Sequence, residues 1–485
     1  MNVFEQLFIG GRRTDSLGGP MLALHSPHDG SLVGRTRAAS TADIDAAVAA
    51  ARTAFNGGDG AWPTMAPAER RAVLARFSRL HAEQAEAFAQ LVSRENGSPL
   101  WFTRLLHGGI EAQSEAYLQA ADNYPWEARM PGQGFGQTVW RREPVGVVAA
   151  VIPWNAPHQS ALAKLFPALL AGCTVILKLA EETALDGQFL GELFTQAGLP
   201  PGVLSIVAAD KTVSEYLVSH PGVDKVAFTG STAAGRRIAA IAGGQLKRFS
   251  LELGGKSAGI VLDDADVPAF AMNMVLAAFA NNGESCVAKT RLLVPFERHD
   301  EIVAALVAVA SQLKVGDPSS PQTVIGPLVS KAQQARVAGY IELGIAEGAT
   351  LAMGGPGVPE GLDGQEALNR GNYVRPTIFS NVNNAMRIAR EEIFGPVLCV
   401  IPYDGVEDAI RIANDSDYGL GGQVWTRDPA RGLAVARRIR TGTFEVNAAA
   451  PDFRAPFGGY KQSGMGREFG AEGLGEYVQH KSIAI

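Results

Sequence analysis

Cysteine is scarce: three residues in 485, at positions 173, 286 and 399, an odd number with no CxxC pair. That argues against a disulfide framework or a cysteine zinc cluster, and reduced thiols fit the cytoplasm, the compartment expected here. Histidine is nearly as sparse, with eight residues and no HExxH, and only His25 and His28 are close in sequence, so no metal site is expected. Basic stripes and long runs of like charge are missing as well. With 43 Lys+Arg against 49 Asp+Glu the net charge is −6, which leaves nucleic acid and an anionic membrane surface without a basis as partners. Uncharged apolar stretches such as 165–177 fall short of the ~18 residues a membrane span needs. The opening MNVFEQLFIGG lacks a basic segment leading into an apolar core, so no secretory signal is expected.

What is present is an ordinary globular composition, 46% hydrophobic and 19% charged, in a chain too long for one core. Two large domains and a smaller appendage are expected. Segments 43–57 and 67–92 are alanine-rich with helical spacing and read as surface helices. From about residue 146 strands and helices alternate. The run over 146–152, TVILK at 174–178, VLSIVA at 203–208 and KVAFTG at 225–230 read as strands. Between them lie helices over 157–172, 182–198 and 232–244, the first opened by Pro157. Such alternation predicts a parallel sheet covered on both faces, with ligands beyond the carboxyl ends of its strands. After Gly255 a second α/β stretch follows, with strands at 257–262, 289–295 and 398–403, helices at 300–314 and 331–347, and a glycine-rich surface connection around 354–364. The C-terminal GLGEYVQHKSIAI ends as an edge strand that needs a partner.

Several short segments suggest chemistry. Gly230-Ser231 ends a strand and opens a helix, where unpaired N–H groups attract phosphate, although an ordinary glycine turn fits as well. GGKS at 254–257 is not a P-loop, because Ser250 stands where that motif needs glycine. Cys173 and Cys399 lie in apolar runs and read as buried small hydrophobes. Cys286 sits in NNGESCVAK, a polar turn where a thiol can be reactive. Asn155, in PWNAP at 153–157, is either a helix cap before Pro157 or an oxyanion donor.

PWNAP, Lys178-Leu179-Ala180-Glu181, FTGST at 228–232, LELGGKS at 251–257, GESC at 283–286, EEIFGPV at 391–397 and PFGGYKQSGMGRE at 456–468 together resemble the aldehyde dehydrogenase superfamily, in order and spacing, over nearly the whole chain. The resemblance implies an NAD(P)-dependent oxidation of an aldehyde to a carboxylic acid, with Cys286 the nucleophile and Asn155 with the Cys286 N–H holding the oxyanion. Glu252 would be the general base for thioester hydrolysis, and Glu468 a second carboxylate in proton relay. Cofactor contacts are implied at Ile152, Trp154, Lys178, Glu181, Gly230, Ser231, Leu253, Gly254, Glu392 and Phe394. NAD is favoured over NADP, since Glu181 accepts from a ribose 2′-hydroxyl and repels a 2′-phosphate.

The implied fold is α/β: a Rossmann-like parallel-sheet cofactor domain (1–125 and 145–252), a second α/β catalytic domain (253–462), and a small β oligomerisation element (126–144 and 463–485) making a homodimer or homotetramer. The substrate tunnel is expected around 102–118, near 158, beside Cys286 and along 448–456, mixing Trp101, Phe102, Leu105 and Phe453 with Asp452 and Arg454. A medium-chain aliphatic or aromatic aldehyde is the expected substrate. A CoA-acylating semialdehyde dehydrogenase is the alternative, disfavoured by Glu252, and a non-catalytic relative the next. The chain departs from the family pattern at Leu179 (usually proline), Ala209 (usually glycine), Glu284 (usually glutamine), Phe444 and Glu445, and the connection 208–222 looks shortened. A carboxylate at Glu284 facing the site would raise the thiol pKa; facing solvent it would matter little.

Overall fold

Along the strand Val147–Val151 every residue is apolar and buried, which is the pattern of a strand covered on both faces. The computed structural model describes residues 2–134, 136–359, 370–450 and 452–485, and in it this strand lies at the centre of an eight-stranded sheet. Its neighbours Lys225–Thr229 and Thr174–Leu179 are parallel to it, as are Arg248–Glu252 and Leu204–Ala208 outside them. Leu7–Ile9, then Arg12–Thr14, and at the opposite edge Gly464–Met465, add antiparallel. The chain order reverses between Val147–Val151 and Lys225–Thr229, so a crevice opens beyond their carboxyl ends, the position that binds dinucleotides in doubly wound sheets. The fold is α/β with a Rossmann-like parallel sheet, as expected.

Side chains alternate across this sheet. Val147, Ala149 and Val151 pack with Ile44, Ala47, Val48 and Ala51 of the helix Thr41–Phe55. Val148 and Ala150 face the helix Pro157–Ala171, which is buried almost all round. The second sheet has seven strands, in the order Thr350–Met353, Thr377–Ser380, Val397–Tyr403, Arg291–Pro295, Ala258–Val261, Gly422–Trp425 and Glu445–Val446. Only its first pair is antiparallel. Cys173 and Cys399 are fully buried in these cores, as read from their apolar surroundings. A third sheet is small and antiparallel: Val478–Ala484 pairs with Gln137–Pro144, which pairs with Glu127–Pro131. The C-terminal strand is its edge. Among the described residues no helix is long and apolar enough to cross a membrane.

Some elements differ from the sequence expectation. The helix expected over 182–198 forms only at Gln188–Gln196. The buried Glu95 carboxylate accepts from the N–H groups of Leu185 (2.8 Å) and Asp186 (3.1 Å), which withdraws both from a helical ladder. The segment 67–92 splits at Gln84 into Pro67–Glu83 and Ala85–Asn96. Among the helices not expected from the sequence are Leu100–Asp122, Lys211–Ser219, Gly405–Asn414 and Pro429–Ala436. Lys211–Ser219 fills the connection that looked shortened, capped by Asp210, whose side chain accepts from Val213 N. Residues 360–364 of the glycine-rich connection lie outside the described residues.

Because Leu177 is fully buried in the central sheet, Leu177→Ala is expected to cost about 2–5 kcal/mol by lost transfer energy and cavity formation. Thermal unfolding checks it: the midpoint of the first transition should fall by several degrees, and an unchanged midpoint would contradict the burial.

Candidate active site

Three consecutive residues with positive φ precede the candidate nucleophile: Asn281 (+54°), Asn282 (+60°) and Gly283 (+73°). Asparagine and glycine are the residues that tolerate this region, so the sequence NNG is what lets the chain turn sharply after the helix Val267–Phe279. The turn is then pinned. Asn282 Nδ2 donates to Gly97 O and Pro327 O, and its Oδ1 accepts from Gly326 N. Asn281 Oδ1 accepts from Ser98 Oγ, while Asn281 Nδ2 donates to Asn155 O (3.0 Å) and Glu284 O (3.1 Å).

Asn155 is held into the same knot, its Nδ2 donating to Glu284 O at 3.0 Å. It is not a helix cap: the helix Pro157–Ala171 has Ala156 at its N-cap and no side-chain cap. Cys286 follows, half-buried. A Cβ on Gly255 would lie 2.6 Å from the Cys286 carbonyl oxygen, so glycine at 255 is what allows the LGGK loop to close over the nucleophile's backbone. Desolvation, then the carboxylates of Glu392, Glu252 and Glu468, push the Cys286 thiol up to about 12, opposed by its own backbone N–H. A thiol raised that far is protonated at neutral pH.

Glu252 ends the strand Arg248–Glu252 and is buried. The segment 457–468 wraps it: Gly464 pairs with Glu252, and a Cβ on Gly458 would come within 2.6 Å of Glu252 Oε1. Its Oε2 makes no hydrogen bond among the described residues. Burial and the neighbouring Glu468 raise its pKa well above the usual carboxylate range, against the pull of Lys164 and Arg467. Lys164 itself was not singled out from the sequence. Its Nζ donates to Glu468 Oε1 (2.6 Å) and to Thr229 Oγ1 (2.5 Å), and the side chain is 1% exposed. The signal was there: a lone cation inside the apolar stretch ALAKLFPALLA.

The candidate cofactor residues line the crevice at the order reversal. Ile152 and Trp154 follow one strand, and Ile152 N donates to Lys178 O at 3.1 Å. Gly230 and Ser231 follow the next, where Ser231 caps the helix Thr232–Gly244 by accepting from Ala234 N. Lys178 stands in the strand Thr174–Leu179, with Glu181, Glu182 and Asp210 acting on it electrostatically. Leu253 and Gly254 are fixed from the tail, Leu253 N to Ser463 O (2.9 Å) and Ser463 Oγ to Gly254 O (2.7 Å). On the opposite lip Glu392 Oε1 accepts from Gly255 N at 2.9 Å. Phe394, at φ +65°, sets its ring edge-on to Trp154 at 5.5 Å. Asn155 is thus tied to the loop of Cys286, Glu392 to Gly255 and Phe394 to Trp154, while Lys178 and Glu181 stand on the strand Thr174–Leu179 and the turn after it.

Two departures gain an explanation. Glu284 points neither at the thiol nor to solvent: it is 1% exposed, accepts from Val329 N (3.1 Å), and burial raises its pKa well above the usual range. Glu445 pairs with the buried Lys289 at 2.6 Å, so the two unusual charges compensate each other. Of the expected tunnel positions, His158 turns into the core, 2% exposed. Asp452 and Arg454 pair with each other at the surface, and Leu105 is 63% exposed.

Comparison with known proteins agrees with this geometry. The sequence pattern of the aldehyde dehydrogenase family matches residues 14–483. The chain is 43% identical to a geranial dehydrogenase of Castellaniella defragrans over 99% of this chain and 98% of that one. It is 40% identical to a 3-succinoylsemialdehyde-pyridine dehydrogenase of a Pseudomonas species, over 100% and 99% of the two chains. Among solved structures, a Mycobacterium tuberculosis aldehyde dehydrogenase complexed with NAD+ superposes with a TM-score of 0.96 at 46% identity, covering 100% and 98% of the two chains. An aldehyde dehydrogenase C mutant of Pseudomonas syringae, complexed with NAD+ and octanal, superposes with a TM-score of 0.94 at 40% identity, covering 99% and 96%. The chain belongs to the aldehyde dehydrogenase family.

Proposed function

We propose that this enzyme oxidises a medium-chain aliphatic or aromatic aldehyde to its carboxylic acid, with Cys286 as nucleophile, Asn155 and the Cys286 N–H as oxyanion donors, and Glu252 as the base for hydrolysis. The observation that supports this reading is that Asn155, far away in sequence, is hydrogen-bonded to the loop of Cys286, while Glu252 acts electrostatically on its thiol. Addition of the Cys286 sulfur to the aldehyde carbon forms a hemithioacetal whose oxygen needs donors about 3 Å away. Asn155 is already fixed beside the nucleophile's loop to supply one. NAD, when bound, supplies the two-electron acceptor. The thioester left on Cys286 then needs a water deprotonated beside it. A carboxylate whose pKa is raised by burial and by Glu468 is a stronger base than an ordinary one, which suits that task. Glu468, joined to Lys164, carries the proton onward.

The residues fit the cofactor. The glycine turn at Gly230-Ser231 opens a helix at the topological switch point, a phosphate-binding arrangement. Glu181, Glu182 and Asp210 surround Lys178, which favours a ribose diol over a 2′-phosphate and hence NAD over NADP. Ser231 and Trp154 lie near the phosphates, Lys178 and Glu181 take the adenosine ribose, and Glu392 and Phe394 the nicotinamide ribose and ring. Tyr117, Phe453 and Phe457 gather around Phe469 next to Glu468, an apolar wall suited to a hydrocarbon or ring. The relatives named for geranial and crystallised with octanal support that substrate class. On this reading residues 1–125 and 145–252 form the cofactor domain and 253–462 the catalytic domain. The sheet from 126–144 and the C-terminal tail joins copies into a homodimer or homotetramer through the free edge of Val478–Ala484.

Two experiments test the assignment. In stopped-flow absorbance, Cys286→Ala should abolish NADH formation from octanal without CoA. Glu252→Gln should keep a burst of NADH but slow steady turnover by about 10²–10⁴-fold. A requirement for CoA would move the enzyme to the acylating reaction instead. The second concerns pH. Glu252 must be ionised to act, so turnover should rise with pH through its raised pKa. Glu468→Gln removes a like charge and frees Lys164, and should move that acid limb to lower pH; a shift upward or none contradicts the role given to Glu468.

A further inference from the structure

No metal motif is visible in the sequence, yet folding gathers three of its eight histidines. His81 lies in the last turn of the helix Pro67–Glu83, His107 in Leu100–Asp122, and His158 at the start of Pro157–Ala171. They are 0%, 5% and 2% exposed. One ring nitrogen of each lies within 4.8 Å of the other two, and His81 Nε2 stands 3.1 Å from His158 Nδ1. Phe88 packs against all three rings. Behind His158, Asp186 Oδ2 is 3.2 Å from Nε2, close enough for an ion pair but out of line for a hydrogen bond. Glu95 accepts the backbone N–H of Asp186.

This is a poor place for unpaired polar groups, and several are unpaired. Among the described residues His81 Nδ1 and His107 Nδ1 have no hydrogen-bond partner. Natural interiors seldom leave such atoms orphaned without a reason. A divalent ion held by the facing nitrogens would replace the His81–His158 hydrogen bond and take in His107, with the Asp186 carboxylate behind His158 as a supporting group.

We propose that His81, His107 and His158 form a buried transition-metal site, with zinc the expected ion and Asp186 the carboxylate that orients His158 from behind. Imidazole donors suit zinc. Zn–N bonds of about 2.0–2.1 Å place tetrahedral donors about 3.4 Å apart, so the His81–His158 pair is already spaced for them. The ring nitrogens of all three residues lie within 4.8 Å of one another, so small shifts suffice to bring the third donor to the ion. The ion's role is structural. It would tie three helices together directly behind the turn that carries Asn155, three residues before His158. The proposal is independent of the aldehyde chemistry and of the substrate.

The test is the metal content of the full-length chain, made without a histidine tag in medium supplemented with zinc or with cobalt, so that the ion can enter as the chain folds. One metal ion per chain retained through gel filtration, lost in His107→Gln and His81→Phe, is the expected result. The cobalt form should show the visible absorption of a nitrogen-ligated ion, and the metal-loaded protein should melt several degrees above either variant. Wild-type protein lacking stoichiometric metal from both media overturns the proposal however the variants fold. Metal that persists in both variants overturns it equally.

Discussion

The side-chain amide of Asn281 joins the two halves of the site: it donates to the carbonyl of Asn155 on one side and of Glu284 on the other. Asn155 returns a bond to the same Glu284 carbonyl, and Ser98 holds Asn281 from behind. The bonds from Ser98 to Asn281 and from Asn281 to Glu284 are buried and so costly to leave unmade, and together the four fix the loop of Cys286 against the loop that carries Asn155. The backbone accepts the turn because two asparagines and a glycine occupy the three positions of positive φ.

Around this fixed geometry the electrostatics are deliberately unfavourable to charge. Glu252, Glu392 and Glu468 all act on the Cys286 thiol, and Lys164 compensates mainly Glu468, with which it shares a short ion pair. Desolvation and these carboxylates push the Cys286 thiol up, and burial with the neighbouring Glu468 raises Glu252 well above the usual carboxylate range.

The parallel sheet was legible because the strands Val147–Val151, Thr174–Leu179 and Leu204–Ala208 are mostly apolar runs between helix signals. The candidate site was legible mainly through the resemblance to aldehyde dehydrogenases; the residues alone offered Cys286 as a thiol in a polar turn and Asn155 as a cap or an oxyanion donor. What escaped the sequence shares a physical cause. Lys164, the helix break at Leu185 and Asp186, and the burial of Glu284 each depend on a partner remote in the chain: Glu468, Glu95 and Val329 respectively. The same is true of the histidines, whose spacing carries no motif because three different helices deliver them. The pairing of Lys289 with Glu445 likewise makes sense of a glutamate that had no reading in one dimension.

The division of labour between Cys286 and Glu252 is tested most directly by intact-protein mass spectrometry of the Glu252→Gln chain mixed with NAD and octanal, without CoA. The expected result is a mass gain equal to the aldehyde less two hydrogens, mapped by proteolysis to Cys286 and stable to added water. No adduct, or an adduct on Cys173 or Cys399, would contradict it.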